Sequence, residues 1–187
     1  EIWYAHLTES PTSYYVSAPD VLSDIPGVNE NIQVVYTDNY EALCVWTNNP
    51  DGDEDTYDSE IVFAEWDGSM WSPTYFLSQN DGTTKLNEMD IASNDSYIAF
   101  TWTSSHFNDN EFDNRLDMLI YDVITGEWDM NNSFGEVDAN YYFQKPKVSI
   151  SDVGKAIVCF QSIDMYADTL SLSNGELFLY VNDFLNM

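Results

Sequence analysis

A single apolar strand pattern recurs along this chain at an almost constant interval, and that recurrence limits the fold more than any other feature. Glu1-Ile2-Trp3-Tyr4-Ala5, Glu60-Ile61-Val62-Phe63-Ala64, Asp117-Met118-Leu119-Ile120-Tyr121 and Glu176-Leu177-Phe178-Leu179-Tyr180 each place one carboxylate before an apolar run, at spacings of 59, 57 and 59 residues. A second register agrees with the first. Glu41–Thr47, Tyr97–Thr103 and Lys155–Gln161 recur at 56 and 58, so that Trp46, Trp102 and Phe160 share one position. A period of tens of residues means that one supersecondary unit is repeated and stacked on its neighbours.

Each unit reads as four short strands. Strand a covers Ile32–Tyr36, Met89–Ala92 or Lys147–Ile150 and ends in a polar turn. Strand b is the run bearing Trp46, Trp102 or Phe160; a long polar loop leads from it to strand c, which begins at the repeated acid. Strand d follows a short turn at Asp67-Gly68 or Thr125-Gly126, dipeptides that suit positive φ in hairpins, and opens at Trp71 or Trp128. No window of ten or more residues carries a helical period. The expected fold class is therefore all-β, a β-propeller section of about three four-stranded antiparallel blades, with a β-sandwich as the alternative. The chain divides into repeats 1–59, 60–116 and 117–175 with a partial fourth at 176–187, treated as one section. Closed propellers typically use roughly 4 to 8 blades, so association with further blades or with other chains is expected.

Glu60–Ser78, which runs from an apolar strand through Trp66, Gly68, Trp71, Ser72 and Pro73 into a second apolar strand, resembles the repeats of secreted bacterial and archaeal β-propeller proteins. Pro146–Val158 resembles their inner strand and turn. The resemblance covers the chain as three imperfect copies, the first of which replaces the turn with Leu7–Ser13, and it implies an extracellular or cell-surface location. Such propellers serve as adhesins, lectins, scaffolds and glycosidases, so the resemblance implies a fold and not one activity. Sialidases of this fold hold their substrate's carboxylate with several arginines, and Arg115 is the only arginine here.

Charge narrows the partners. With 33 acidic and 5 basic residues the formal charge is −28, which leaves no basic patch to neutralise nucleic-acid phosphates or anionic lipid. No stretch approaches the roughly 18 to 20 apolar residues that span a bilayer. Hydrophobic residues at 44% and aromatics at 16% give such an acidic chain enough apolar surface to fold. Cys44 and Cys159, the only cysteines, sit in apolar strand b runs and read as free thiols.

In a four-stranded meander the b–c and d–a loops share one end of the sheet, and nearly half of the acids fall in those loops. Asp51, Asp53, Asp55 and Asp58, and then Asp109, Glu111 and Asp113, alternate oxygen ligands in a spacing that suits a hard cation such as Ca²⁺. Solvated acidic loops are the plainer reading. Trp66, Trp71 and Trp128 are candidates for stacking a sugar, or else fill the space between blades. His6 and His106 lie in different repeats with no nucleophile motif beside either, which argues against triad or zinc-site catalysis. The sequence thus supports a non-catalytic extracellular binding, adhesion or scaffold module that meets protein or glycan at its acidic face. A lectin-like propeller and a glycosidase are the alternatives.

Overall fold

The structure is a computed structural model describing residues 1–37, 41–53, 57–78, 82–108, 111–138, 141–152, 155–164 and 175–183, with side chains described outside 108, 111–112, 129–138, 164 and 175–183. Every regular element among them is a β-strand. Strands β5 (Val28–Tyr36), β6 (Ala42–Asn49), β7 (Glu60–Trp66) and β8 (Tyr75–Phe76) form one antiparallel sheet in chain order. A second comprises β9 (Thr84–Ser93), β10 (Tyr97–Asn108), β11 (Glu111–Asp122) and β12 (Glu127–Asp138). The third holds β13 (Tyr141–Ile150), β14 (Lys155–Asp164) and β15 (Gly175–Asp183). Before them β1 (Ile2–Tyr4) pairs with β4 (Asp20–Ser23) as strands c and d of a half-sheet. The residues that replace the usual turn form a hairpin between the two, β2 (Leu7–Ser10) with β3 (Ser13–Val16).

The sheets stack face to face in sequence, which two facing layers of a sandwich would not produce. Burial of β6 makes the reason visible: its first seven residues are all buried, so the run is continuously apolar instead of alternating. Cys44 and Trp46 pack with Ile2, Val62 and Ala64 toward the half-sheet. Leu43 and Val45 pack with Ile98, Phe100 and Tyr121 of the second sheet. A third core joins Leu116, Met118 and Ile120 to Phe143, Val158 and Phe160. Each core therefore lies between successive blades, where a single blade could not bury it alone.

Hydrogen bonds between blades link residues one repeat apart. Ser93 Oγ donates to the Tyr36 carbonyl at 2.8 Å and Asn94 Nδ2 to the Ser151 carbonyl at 2.7 Å, each across 57 positions. Asp90 accepts from Lys147 Nζ at 2.8 Å and from the Val148 N–H at 3.0 Å. The sheets begin at strand a, so repeats counted from strand c straddle two sheets.

Two local expectations change. The second repeat has no long b–c loop: β10 and β11 continue as a hairpin to Asn108 and Glu111, which puts Asp117 in the middle of a strand and not at its start. Trp71 does not open a strand either. It meets Trp66 through an isolated bridge, and Pro73, which has no N–H for the ladder, delays pairing until β8. Trp128 does lie at the opening of β12.

Candidate functional site

Two cavities open at opposite ends of the junction between the first and second sheets. The larger, 440 Å³, lies at the a–b and c–d turns and is lined by Glu41, Glu65, Trp66, Met70, Trp71, Pro73 and Tyr121, among others. Its shape depends on the turn after β7. Asp67 Oδ1 accepts from the Ser69 and Met70 N–H groups and from the Ser69 hydroxyl, each at 2.8 Å. Those bonds, the Met70 N–H foremost, hold its carboxyl below the usual range. Gly68 supplies the positive φ of 91° that the turn needs. Ser72 closes the turn, donating its N–H to the Glu65 carbonyl at 2.7 Å and accepting the Glu65 N–H on its hydroxyl at 3.0 Å.

That turn brings Trp66 and Trp71 together, with ring centroids 5.6 Å apart. Trp66 also meets His6 at 4.5 Å, and Trp71 meets Tyr4 at 5.9 Å. Across the cavity the Tyr121 hydroxyl donates to Glu65 Oε1. Burial, then the hydrogen bond to Glu65 and the Glu65 charge, push the phenol well above its ordinary pKa, so Tyr121 stays a donor and fixes that carboxylate. The result is an apolar, aromatic-walled cleft with two carboxylates at its margin, a combination suited to a neutral polyhydroxyl ligand.

Of the three tryptophans singled out from sequence, Trp66 and Trp71 line this cleft. Trp128 does not. It packs in the interblade core against Tyr121 at 5.1 Å, Phe63 at 5.6 Å and Phe100 at 6.4 Å. Among the described residues, no hydrogen-bond acceptor meets the buried Nε1 atoms of Trp71 and Trp128.

The second cavity, 360 Å³, is polar and opens at the end bearing the b–c and d–a loops. Glu30, Asn48, Ser59, Lys85, Glu88 and Tyr142 contribute to its wall. Buried Asn48 is held by bonds from its Nδ2 to the Pro26 carbonyl at 3.1 Å and to Asn29 Oδ1 at 3.2 Å. Glu88 accepts the Lys145 N–H, and burial with the Glu88 charge raises the Tyr142 phenol. Sequence reasoning missed this wall. Its signal is the repeat itself, because Asn31, Glu88 and Lys145 share one position, each at or beside a register shift of strand a against strand b.

Among the described residues, the acidic candidates fall on the loop after β6, at Asp58 and on β11. Asp51 and Asp53 are exposed, and their loop is organised by its own side chains: Asp51 Oδ1 accepts the Asp53 N–H at 2.8 Å, and Asn49 Oδ1 accepts the Gly52 N–H at 3.0 Å. Asp58 bridges to Thr84. Glu111 and Asp113 belong to the extended strand β11, opposite Asn108 and His106, and not to a curled loop. Asp55 and Asp109 lie outside the described residues. Among the described residues no group of three or more His, Cys, Asp or Glu side chains is arranged to hold a metal ion.

Among the described residues, Asp117 is the one carboxylate strongly perturbed by burial. Desolvation raises it from 3.8 to about 6, against the opposing pull of Arg115 two residues away on the same strand. Both cysteines are free; Cys44 is buried and its thiol is pushed up to about 12 by desolvation.

No protein-family model and no curated protein matches the chain. Solved structures do. A Hadza microbial sialidase superposes with a TM-score of 0.56 at 11% identity over 75% of this chain, and a Penicillium chrysogenum α-L-arabinanase complexed with arabinobiose gives 0.51 at 10% over 95%. The chain spans 34% of the sialidase and 55% of the arabinanase. At such identities the likeness shows the fold alone: this is a β-propeller. No helix among the described residues is long and apolar enough to cross a membrane.

Proposed function

We propose that this propeller section is a non-catalytic extracellular binding module whose cleft beside Trp66 and Trp71 takes neutral carbohydrate. The observation that carries the reading is the cleft itself, 440 Å³ walled by two adjoining indoles and bordered by Glu41 and Glu65. A sugar's C–H face stacks on an indole while its hydroxyls donate to carboxylates, and a site of this size holds one or two rings. Charge selects among sugars. A formal charge of −28 and a single arginine disfavour sialic and uronic acids, which are anions.

Titration calorimetry against neutral and sialylated oligosaccharides tests the proposal. Binding of a neutral ligand is expected to weaken at least tenfold in Trp71→Ala and in Trp66→Ala, with Trp128→Phe binding as wild type. Failure of every neutral glycan at millimolar concentration, or a preference for sialylated ones, would overturn it. A glycosidase reading predicts turnover of aryl glycosides instead.

A further inference from the structure

We infer that the cleft beside Trp66 and Trp71 prefers an amino sugar, with its free amine protonated, to the neutral sugar of the same shape. This rests on the reading of the cleft as a carbohydrate site and adds the charge that its ligand carries. Glu41, Glu65 and Asp67 line the cleft, and none of the chain's five basic residues is in its wall. Lys85 lines the cavity at the opposite end, and Lys145, Lys147 and Lys155 belong to the third sheet. Arg115 is on β11 but six residues before Tyr121, about 20 Å away along an extended strand.

The carboxylates at this end are not equivalent. Asp67 Oδ1 already accepts three bonds within its own turn, and Asp122 Oδ1 accepts the Ile124 and Thr125 N–H groups at 2.8 and 3.1 Å. Glu41 and Glu65 are held differently. Leu43 pairs opposite Glu65, and Glu41 lies two residues before Leu43, so strand alternation sets both carboxylates on the face toward the second sheet. Glu65 accepts from Tyr121, a neutral donor, and among the described residues no basic side chain forms an ion pair with either glutamate. The Tyr121 phenol registers the field between them. Burial and the bond to Glu65 raise its pKa most, and the charges of Glu65, Glu41 and Asp122 raise it further, so several negative charges act on one hydroxyl inside the cleft.

A neutral sugar meets only part of that field. Its hydroxyl offers one donor with a partial charge, whereas an ammonium in the same place offers three donors and a full charge. Glu41 and Glu65 repel each other in a setting drier than bulk water, and a cation beside them removes that repulsion. Because the cleft opens to solvent, the amine keeps part of its hydration and the desolvation cost of a buried ion pair is reduced. The indoles favour the same ligand, since the ring face of tryptophan attracts cations as well as C–H groups. The cavity at the other end lacks this combination: Lys85 stands in its wall with the two glutamates, and no tryptophan lines it.

Titration calorimetry at about pH 6, where glutamates are ionised and the amine is protonated, tests this with matched short oligosaccharides of glucose and glucosamine, galactose and galactosamine, and mannose and mannosamine. At low salt at least one amine ligand is expected to bind about tenfold or more tighter than its neutral partner, and the ratio to shrink as salt is raised to about 0.5 M. Glu41→Gln is expected to lower that ratio about threefold, and Glu41→Gln with Glu65→Gln to bring it within about twofold of unity, with the thermal transition kept as a check on folding. Asp51→Asn with Asp53→Asn, at the opposite end, is expected to leave the ratio unchanged. A wild-type ratio below about threefold, a ratio kept in the double glutamate variant, or an equal loss in the Asp51/Asp53 variant overturns the inference, the last because the attraction then belongs to the overall charge of −28. Neutral sugars that bind with no gain from the amine sink this inference and leave the neutral-sugar reading standing. Amines that bind in the Glu41- and Glu65-dependent way where no neutral sugar does support it and sink that reading; if neither class binds, both fall.

Discussion

Replacing Asp117 by Asn should stabilise this protein at neutral pH and should do so less as the solution is acidified. Asp117 lies opposite Trp102, its cross-strand partner, at a position where the first and third sheets carry Glu60 and Glu176. Burial raises its pKa from 3.8 to about 6. A native state that holds the proton more tightly than the unfolded chain binds more protons between these values, so unfolding free energy falls as pH rises through that window. The cost is complete above the folded pKa. Two pKa units at 1.36 kcal/mol each make it about 3 kcal/mol, from which a buried amide's own desolvation subtracts on the order of 1 kcal/mol. The expected gain for Asp117→Asn at pH 7.5 is thus about 1–3 kcal/mol, or roughly 3–10 °C in melting temperature for a chain of this size. Urea unfolding of both proteins between pH 4 and pH 8, read as their difference, cancels the remaining carboxylates. The reasoning fails if the variant is no more stable than wild type at pH 7.5, or if its advantage grows toward pH 4.

Three further outcomes follow from other parts of the fold. Gly27→Ala puts a Cβ at 2.2 Å from the Asn49 carbonyl oxygen at a φ of 107°, and should cost at least about 2 kcal/mol by chemical denaturation; Gly82→Ala, with open space and a φ of 68°, should cost only about 1 kcal/mol. Cys44, its thiol pushed up to about 12 by burial, should resist iodoacetamide until the chain unfolds, while half-buried Cys159 reacts first by peptide mass mapping. Tyr121→Phe removes the donor that holds Glu65, and neutral-sugar affinity in the cleft should fall roughly threefold to tenfold by calorimetry, with little change in melting temperature.

Strand b is where the sequence spoke most clearly, and packing explains why. Leu43 and Val45 meet one sheet and Cys44 and Trp46 another, so every residue must be apolar and the run stands out at each repeat. Where strands stop is set by less visible forces. Nothing in Asn108–Asn114 distinguishes a polar loop from the tip of a hairpin whose arms pair to the end, and the structure chose the hairpin. The tryptophans divide for a similar reason. Trp71 and Trp128 stand at equivalent positions, yet the Asp67 turn and Pro73 set Trp71 at the rim of a cleft, while Trp128 pairs opposite Tyr121 on β12 and is packed under Tyr121 and Phe63. Identity and spacing were the same for both; the turn preceding each decided its role.

The inner strands show how a periodic fold acquires a site that is not periodic. Strand a must pair with strand b and also adjoin strand a of the next sheet, and a bulge at one position meets both demands by bending the strand there. Asn31 and Lys145 adopt positive φ, 53° and 52°, at that bend, and strands β5, β9 and β13 all lose register near it. Once the backbone is fixed, the side chain at the bend is free to differ: an amide in the first sheet, a carboxylate in the second, an ammonium in the third. The first reaches a backbone carbonyl of the next sheet and the second accepts a backbone N–H, so both serve the stack while Glu88 also gives its charge to the polar cavity. The same position thus carries both the fold's internal contact and the cavity's polarity. Variation there changes the charge at the end bearing the b–c and d–a loops without disturbing the strand order that the repeat imposes.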